Sequence, residues 1–345
     1  MHQSARSIEQ DYPRLRSLIR DPSVAWDINT ISRDAALYAL SADFLRELNK
    51  NRRLLDQEIP LEGCDVDNTA FPVLRRETEH IRKNLIERGF GFAILRGLDP
   101  TSYTQLELEN AYWRICAELG TPFVQKAHNV RFGRVEDLSL PEEARPRYHE
   151  TGTGGSIHTD SPIMPRVADF VGLLCVRVAI QGGQSKFVSV ARVHNILLQH
   201  ASDLLAELYQ PFYFDRRIKV TDVSPQNPAL LLEPIFTYEP ALGDRGLKLR
   251  WQPEYVWGAP QLAGVPPLNE KQRLALHLLE GLLEDRTGAI TVCMTMQPGD
   301  IQLVNNRVLA HGRTPFFDHR LSDNPAKSDP ERRRLMRRVW MHRFD

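Results

Sequence analysis

The sequence predicts a mainly β chain of the α+β class, for which a jelly roll with flanking helices is the closed form that fits best. Three observations carry this. From about residue 156, short β-rich runs recur at 169–180, 186–190, 211–216, 234–238, 247–251, 290–296, 300–304 and 333–341, with Pro, Gly, Asn and Asp between them. Helical periodicity is confined to segments before and between those runs. Hydrophobic content of 42% against charged content of 26% is the profile of a globular chain, and 345 residues suffice for one large domain or two ordinary ones.

Taken in order, residues 6–57 read as helices with irregular links. Within them Asp43–Leu55 has apolar residues at helical spacing, with Ser41 as N-cap. Residues 1–60 are therefore assigned to an N-terminal helical extension, and 61–345 to the jelly-roll domain. Pro72–Gly89 is a second helix closed by a glycine stop. Phe90–Leu95 is a short buried strand, and Tyr103–Leu119 a third helix. Ala191–Tyr209 and Asn269–Leu283 are helices that interrupt the β-rich half. Two stretches are polar and irregular. Leu138–Ser156, with Pro141, Pro146 and Thr151-Gly-Thr-Gly-Gly155, is expected to be a lid, and 317–332 an insertion of unassigned role.

Composition also excludes whole classes. Lys and Arg total 44, as do Asp and Glu, so no global field recruits nucleic acid or an anionic membrane surface. The longest apolar runs fall far short of the ~20 residues of a membrane span. The first ten residues lack the apolar segment of a secretory signal. Cys64, Cys116, Cys175 and Cys293 lie far apart, which disfavours structural zinc and a disulfide framework. A cytoplasmic protein is the expectation.

The chemistry centres on Ser156-Ile-His-Thr-Asp-Ser-Pro162. His158 and Asp160 are two residues apart, so on extended chain both side chains point to one face. A distant histidine, His311, would complete a two-histidine, one-carboxylate set that leaves positions open on a non-haem Fe(II). Chance alone predicts about one His-x-Asp/Glu pair in a chain with 11 histidines and 44 acidic residues among 345, so the pair gains weight only from its context. Downstream lie Gly182-Gly-Gln-Ser185, where a hydroxyl opens a strand, and Pro298-Gly-Asp300, a tight turn. The basic run Arg332–Arg338 follows, placing Arg334, Met336 and Arg338 on one strand face and Leu335, Arg337 and Val339 on the other. Arginine inside an apolar strand is costly when unpaired, and its planar fork suits a dicarboxylate. Bland readings hold elsewhere. His194 and His200 read as helix packing, His149 as a solvated loop residue, Asp300 as a turn residue, and Tyr238 and Trp251 as packing near the barrel mouth.

In this order, His158-Thr-Asp160, Gly182-Gly-Gln-Ser185, Pro298-Gly-Asp300, Asn305-Asn-Arg-Val-Leu-Ala-His-Gly-Arg-Thr-Pro-Phe316 and Arg334-x-x-x-Arg338-x-Trp340 resemble the Fe(II)/2-oxoglutarate-dependent oxygenases related to taurine dioxygenase and clavaminate synthase. The resemblance runs from about Gly89, where Phe90–Gly97 looks like the family's first strand, to the C-terminus. It implies a double-stranded β-helix, with His158, Asp160 and His311 on Fe(II), and 2-oxoglutarate and O₂ as cosubstrates. It further implies Arg334 on the distal carboxylate of 2-oxoglutarate with Ser185 assisting, and Arg338 on a substrate carboxylate. Gln125 would face a substrate amine. A carboxylate at position 160, where the family's halogenases have a small residue, implies oxygenation or desaturation. His311 and Arg334 are 23 residues apart, more than is usual, which leaves Arg333 and Arg337 in contention with Arg334; Trp340 favours Arg334. The expected activity is hydroxylation of an unactivated C–H of a small carboxylate-bearing molecule, an amino acid or derivative, in specialised metabolism. Desaturation or ring formation on a larger intermediate, a non-catalytic jelly-roll binding protein, and a zinc hydrolase are the alternatives. Arg338 could instead pair with an internal acid such as Asp160 or Glu233.

Overall fold

Two β-sheets face one another and enclose the site. The computed structural model describes residues 13–344 apart from 33, 58–65, 126–129, 142–146, 219 and 226. In chain order the strands are β1 (Leu37–Ala39), β2 (Phe92–Arg96), β3 (Thr121–Pro122), β4 (Phe132–Val135), β5 (Phe170–Arg177), β6 (Gln181–Gly182), β7 (Ser185–Ser189) and β8 (Pro211–Asp215). They continue with β9 (Leu230–Pro234), β10 (Phe236–Tyr238), β11 (Leu247–Leu249), β12 (Thr291–Met294), β13 (Ile301–Asn305), β14 (Leu309–Arg313), β15 (Phe316–Phe317) and β16 (Leu335–His342). The helices are α1 (Ala42–Lys50), α2 (Pro72–His80), α3 (Gln105–Leu119), α4 (Val190–His200), α5 (Ser202–Leu208), α6 (Pro253–Gly258) and α7 (Glu270–Glu284).

The major sheet has the order β1-β2-β13-β5-β16-β3, with β4 also on β16, and the minor sheet is β12-β7-β14. Period-two alternation sorts the major sheet's side chains. Phe92, Ile94, Val304 and Met336 point inward to meet Phe187, Val292 and Leu309 of the minor sheet. Ala93, Leu95, Leu303, Val339 and Met341 point outward and bury against Leu74 of α2 and Tyr112, Trp113 and Ile115 of α3. A second apolar cluster joins α4, α5 and α7 to β8, β10 and β11. This is the jelly roll with flanking helices that the sequence predicts. None of the described helices is long and apolar enough to cross a membrane.

Helix ends follow their caps. The Ser41 hydroxyl accepts the Phe44 N–H at 3.1 Å. Thr104 with Glu107, and Asn269 with Gln272, form capping boxes for α3 and α7. The helix from Pro72 runs on as a π-helical turn over Ile81–Glu87. At Gly89 a Cβ would stand 2.6 Å from the Leu85 carbonyl oxygen, so only glycine allows the chain to turn away there. The helix expected over 191–209 is broken at Ala201 (φ −154°, ψ 52°) into α4 and α5.

The N-terminal reading needs correction. Of the described residues before 57, only α1 is α-helical, and Leu37–Ala39 is a strand running parallel to β2 in the major sheet. Leu15, Ile19 and Val24 pack into the α4–α7 cluster, and the Asn195 amide clips both the N–H and the carbonyl of Ile19 (3.0 and 2.8 Å). Packing against the β-domain overrides local helical pattern here, because three-residue segments gain more from an existing sheet edge than from an isolated turn.

Candidate active site

The strand carrying His311, β14, pairs with β7 in the minor sheet, and on its other side meets the segment around His158. His158 and His311 exchange both backbone hydrogen bonds (2.9 and 2.8 Å), and their rings lie 5.0 Å apart. Extended geometry at 158 then sets Asp160 on the same side as His158, as the two-residue spacing requires. Buried side chains lock this segment. Thr159 bonds the Trp251 backbone through its N–H (2.7 Å), and its hydroxyl accepts the Trp251 N–H (2.9 Å). The Asn306 carbonyl oxygen takes the Asp160 N–H at 2.7 Å, and its amide donates to the carbonyls of Asp160 and Ala168. Ser161 then adopts a left-handed φ of 56°, and its hydroxyl accepts the Ala168 N–H, turning the chain away.

Donor atoms of His158, Asp160 and His311 lie within 4.8 Å of one another, and all three residues are buried. The His158 Nδ1 faces the Ser156 carbonyl at 2.9 Å, which assigns the proton to Nδ1 and leaves Nε2 as a lone-pair donor. Burial, and then the neighbouring His311, pull His158 down to about 4, so it is neutral at physiological pH. Burial alone would raise Asp160, but Arg338 and His311 outweigh it and hold the carboxyl far below its ordinary range. A neutral His158 and an ionised Asp160 are protonation states that suit a divalent metal. The donor set of His158, Asp160 and His311 fits Fe(II).

The C-terminal strand behaves as its alternation predicts. Arg337 lies outside, over the Phe132 ring (4.1 Å) and 3.3 Å from Glu109, and Arg333 bonds Glu136 at 2.7 Å. Arg334 and Arg338 share the Met336 face and are buried. Arg334 lies over the Phe316 ring at 5.1 Å, and its N–H donates to Asp318 Oδ1. A Cβ at Gly183, where φ is 73°, would come within 3.1 Å of the Arg334 Nε, so the glycine turn makes room for the guanidinium. Burial, and then Arg313, pull Arg334 down to about 10. Its Nη1 is buried with no hydrogen-bond partner among the described residues. A buried cation with an idle donor fits the distal carboxylate of 2-oxoglutarate. Ser185 is placed otherwise: its hydroxyl donates to Gln302 Oε1 at 2.5 Å.

Arg338 and Gln125 are brought together, and more tightly than sequence alone suggests. Arg338 Nε donates to Gln125 Oε1 (3.0 Å), its Nη1 donates to Asp160 Oδ1 (3.1 Å), and its guanidinium sits over Trp340. The Gln125 amide in turn donates to the Arg338 and Arg131 carbonyls. Of the two internal acids considered as partners for Arg338, Asp160 is the one paired, and Glu233 lies on β9 opposite Phe212. Gln125 therefore braces Arg338 in this state.

Asp300 is the turn residue expected, gripping Arg96 at 2.9 and 2.7 Å and accepting the Gln297 N–H. His194 is helix packing, facing the Tyr209 hydroxyl at 2.9 Å. His149 is a correction: it is buried, because its carbonyl accepts the Glu136 N–H and draws the lid inward. Sequence reasoning also missed Asn306, Tyr148 and Arg313. Tyr148 stands edge-on to His158 with ring centroids 4.8 Å apart. Asn306 and Arg313 both lie in the Asn305–Phe316 motif without any role read from it, whereas nothing in the local pattern marked Tyr148.

A jelly roll with a His-x-Asp…His set on adjacent, hydrogen-bonded segments and two inward arginines defines a non-haem iron, 2-oxoglutarate-dependent oxygenase. The chain belongs to the taurine catabolism dioxygenase TauD, TfdA family, whose sequence model matches residues 51–340. It is 27% identical to FR-33289 synthase of Streptomyces rubellomurinus over 282 residues, 81% of this chain and 77% of that protein. It is also 27% identical to a taurine hydroxylase-like protein of Stachybotrys chartarum, over 73% of this chain and 61% of that one. In fold it resembles asparagine oxygenase, solved with Fe(II), 3-hydroxyasparagine and succinate (TM-score 0.62, 18% identity, 89% of this chain and 93% of that one). The non-heme iron oxygenase OrfP, solved with Fe and alpha-ketoglutaric acid, is similar (TM-score 0.59, 16% identity, 88% and 93%).

Proposed function

We propose that the protein hydroxylates an unactivated C–H of a small carboxylate-bearing substrate, an amino acid or derivative, in specialised metabolism. The observation that carries this is Arg338: a second buried guanidinium, four residues after Arg334 on the same face, hydrogen-bonded to the proposed ligand Asp160. One arginine suffices for 2-oxoglutarate, so a second inward cation is suited to the anion of a substrate. The structural likeness to an asparagine oxygenase, and to OrfP crystallised with L-Arg and its hydroxylated forms, supports an amino-acid substrate. The likeness to FR-33289 synthase supports specialised metabolism.

His158, Asp160 and His311 would hold Fe(II), and Arg334 the distal carboxylate of 2-oxoglutarate, while the Ser185 hydroxyl is committed to Gln302. The bound metal and cosubstrate supply O₂ activation, with 2-oxoglutarate leaving as succinate and CO₂. The chain's own residues do the rest. Asn306 and Thr159 hold the Asp160 backbone still. Arg338, braced by Gln125, orients the substrate carboxylate, and exchanging Asp160 for that carboxylate costs it little, since one charged partner replaces another. Gln125 would meet the substrate amine only by giving up part of this brace. Tyr148 closes the side of His158 and excludes water. The test is a panel of free amino acids and small carboxylates with Fe(II), 2-oxoglutarate and O₂, read by mass spectrometry. A product one oxygen heavier from an anionic substrate is expected. A substrate with no anionic group would overturn the reading, and loss of two hydrogens would assign desaturation or ring formation instead.

A further inference from the structure

The polar stretch 317–332 meets the site described above through Asp318, which accepts the Arg334 backbone N–H, and it is also tied to the lid. The lid's first arm, 136–139, pairs with its second arm, where Glu136 N–H meets the His149 carbonyl and Leu138 N–H the Glu150 carbonyl (both 3.0 Å). Ser328 donates its hydroxyl to the Asp137 carbonyl at 2.6 Å and its N–H to the Ser139 hydroxyl at 3.0 Å. Arg320 reaches the Ser139 hydroxyl at 3.2 Å and the Asp137 carboxylate at 3.6 Å, and Arg333 reaches the Asp137 carbonyl at 3.3 Å. Ser328 and Asp137 are both buried, although their segments are polar. Ser139 is held at a left-handed φ of 49°, a conformation a serine adopts rarely unless its surroundings enforce it.

The second arm is fastened separately, two residues beyond His311. The Arg313 guanidinium donates to the carbonyls of Tyr148 (3.0 Å), Thr151 and Thr153 (2.7 Å), and lies 4.6 Å over the Tyr148 ring. The Arg313 backbone N–H donates to the Tyr148 hydroxyl at 2.9 Å, and the Phe316 N–H to the Gly152 carbonyl at 3.0 Å. A Cβ at Gly155 would fall 1.9 Å from the Tyr148 ring, so the lid's glycine admits that ring beside His158.

We propose that residues 313–333 form a clasp that seats the lid over the metal ligands before substrate arrives, with Ser328 and Arg313 as its two fastening, positioning residues. The clasp fixes how well the lid excludes water, and so how much 2-oxoglutarate is consumed when no substrate is bound. That second consequence rests on the proposed oxygenase function, whereas lid seating does not.

The experiment is hydrogen exchange of the intact protein without cosubstrate, comparing wild type with Ser328→Ala and Arg313→Met, alongside succinate formed from 2-oxoglutarate with Fe(II) and no substrate. Each variant removes one to a few hydrogen bonds. Exchange across 147–153 should rise about five- to thirtyfold, the factor expected for one to two kcal/mol. Exchange in β5 and β13 should stay unchanged, and substrate-free succinate should rise several-fold. Unchanged exchange at 147–153 in both variants would overturn the clasp, as would acceleration spread evenly over the chain. Raised lid exchange with unchanged, measurable succinate would overturn its link to turnover. Raised lid exchange in the variants, with no succinate made even by wild type, would instead count against the oxygenase reading, leaving the seating of the lid established.

Discussion

Arg334→Leu is the most informative single substitution. Leucine keeps an apolar stem and removes the guanidinium together with its stacking on Phe316. Each pKa unit is worth about 1.4 kcal/mol, so an arginine pulled down to about 10 from an ordinary value above 12 carries about 3 kcal/mol of unrelieved burial. A carboxylate that pairs with the idle Nη1 relieves most of that, which corresponds to about a hundredfold in affinity. The same size is expected when one partner of a buried charge pair is cut away, about 2–5 kcal/mol. Two measurements follow. Anaerobic calorimetric titration of the Fe(II) protein should show the 2-oxoglutarate Kd rising by about two decades in the variant. Thermal unfolding of the unliganded protein should show a far smaller loss than the binding does, because the guanidinium makes no side-chain hydrogen bond to an anion among the described residues and Nη1 is unpartnered. A loss of affinity below about threefold, under 1 kcal/mol, would refute the assignment. So would an unliganded protein destabilised as much as the binding is weakened, since Arg334 would then be structural. The same loss from Arg333→Leu, with Arg334→Leu silent, would contradict the strand register, as Arg333 bonds Glu136 on the lid side.

Further expectations attach to other residues. His158→Ala and His311→Ala should each abolish Fe(II)-dependent succinate formation and Fe(II) binding, and near wild-type turnover in either would remove that residue from the ligand set. Arg338→Ala should weaken substrate binding by about 2–5 kcal/mol while changing the 2-oxoglutarate Kd far less; equal losses for both ligands would contradict its role. Stability should depend on pH through His194, which burial holds at about 4 beside Tyr209, against about 6.5 in the unfolded chain. Because the unfolded state takes the proton first, stability is full above about 6.5 and falls by about 3 kcal/mol as pH drops toward 4. Urea unfolding at pH 7 and pH 5 should show this loss in wild type and a smaller one in His194→Gln, and identical losses would rule His194 out.

The inward set was legible where a short-range rule governs it. Two-residue spacing places His158 beside Asp160, and four-residue spacing places Arg334 beside Arg338, because an extended chain alternates faces whatever it packs against. Strand β14 was not legible. Ala310-His-Gly-Arg313 has no β pattern, and it is a strand only because Ser185–Ser189 and the His158 segment lie on either side of it. β1 hides for the same reason, since three residues join a sheet whose edge is formed more than fifty residues later. Gln125 was expected to face a substrate amine, and its commitment to Arg338 depends on a contact 213 positions away. The lid's fastening was illegible altogether. Arg313 looks like one more polar residue after a metal-binding histidine, and its three carbonyl partners come from a loop about 160 positions earlier.

The same contacts bear on what the pocket is built to contain. Arg334 and Arg338 bring two positive charges inward and Asp160 one negative, so the assigned site by itself is left one charge positive. Burial, and then the like charge of Arg313, pull Arg334 down, whereas Arg338 is paired with Asp160. Adding a divalent metal at the His158–Asp160–His311 face raises the excess to three, which two carboxylates of 2-oxoglutarate reduce to one. One further negative charge then brings the pocket to neutrality, and under the proposed function Arg338 would receive it in exchange for Asp160. A substrate presenting a single carboxylate to Arg338 satisfies this balance, with any ammonium directed elsewhere. A neutral substrate would leave a buried positive charge uncompensated at the moment the lid excludes water, when such a charge costs most.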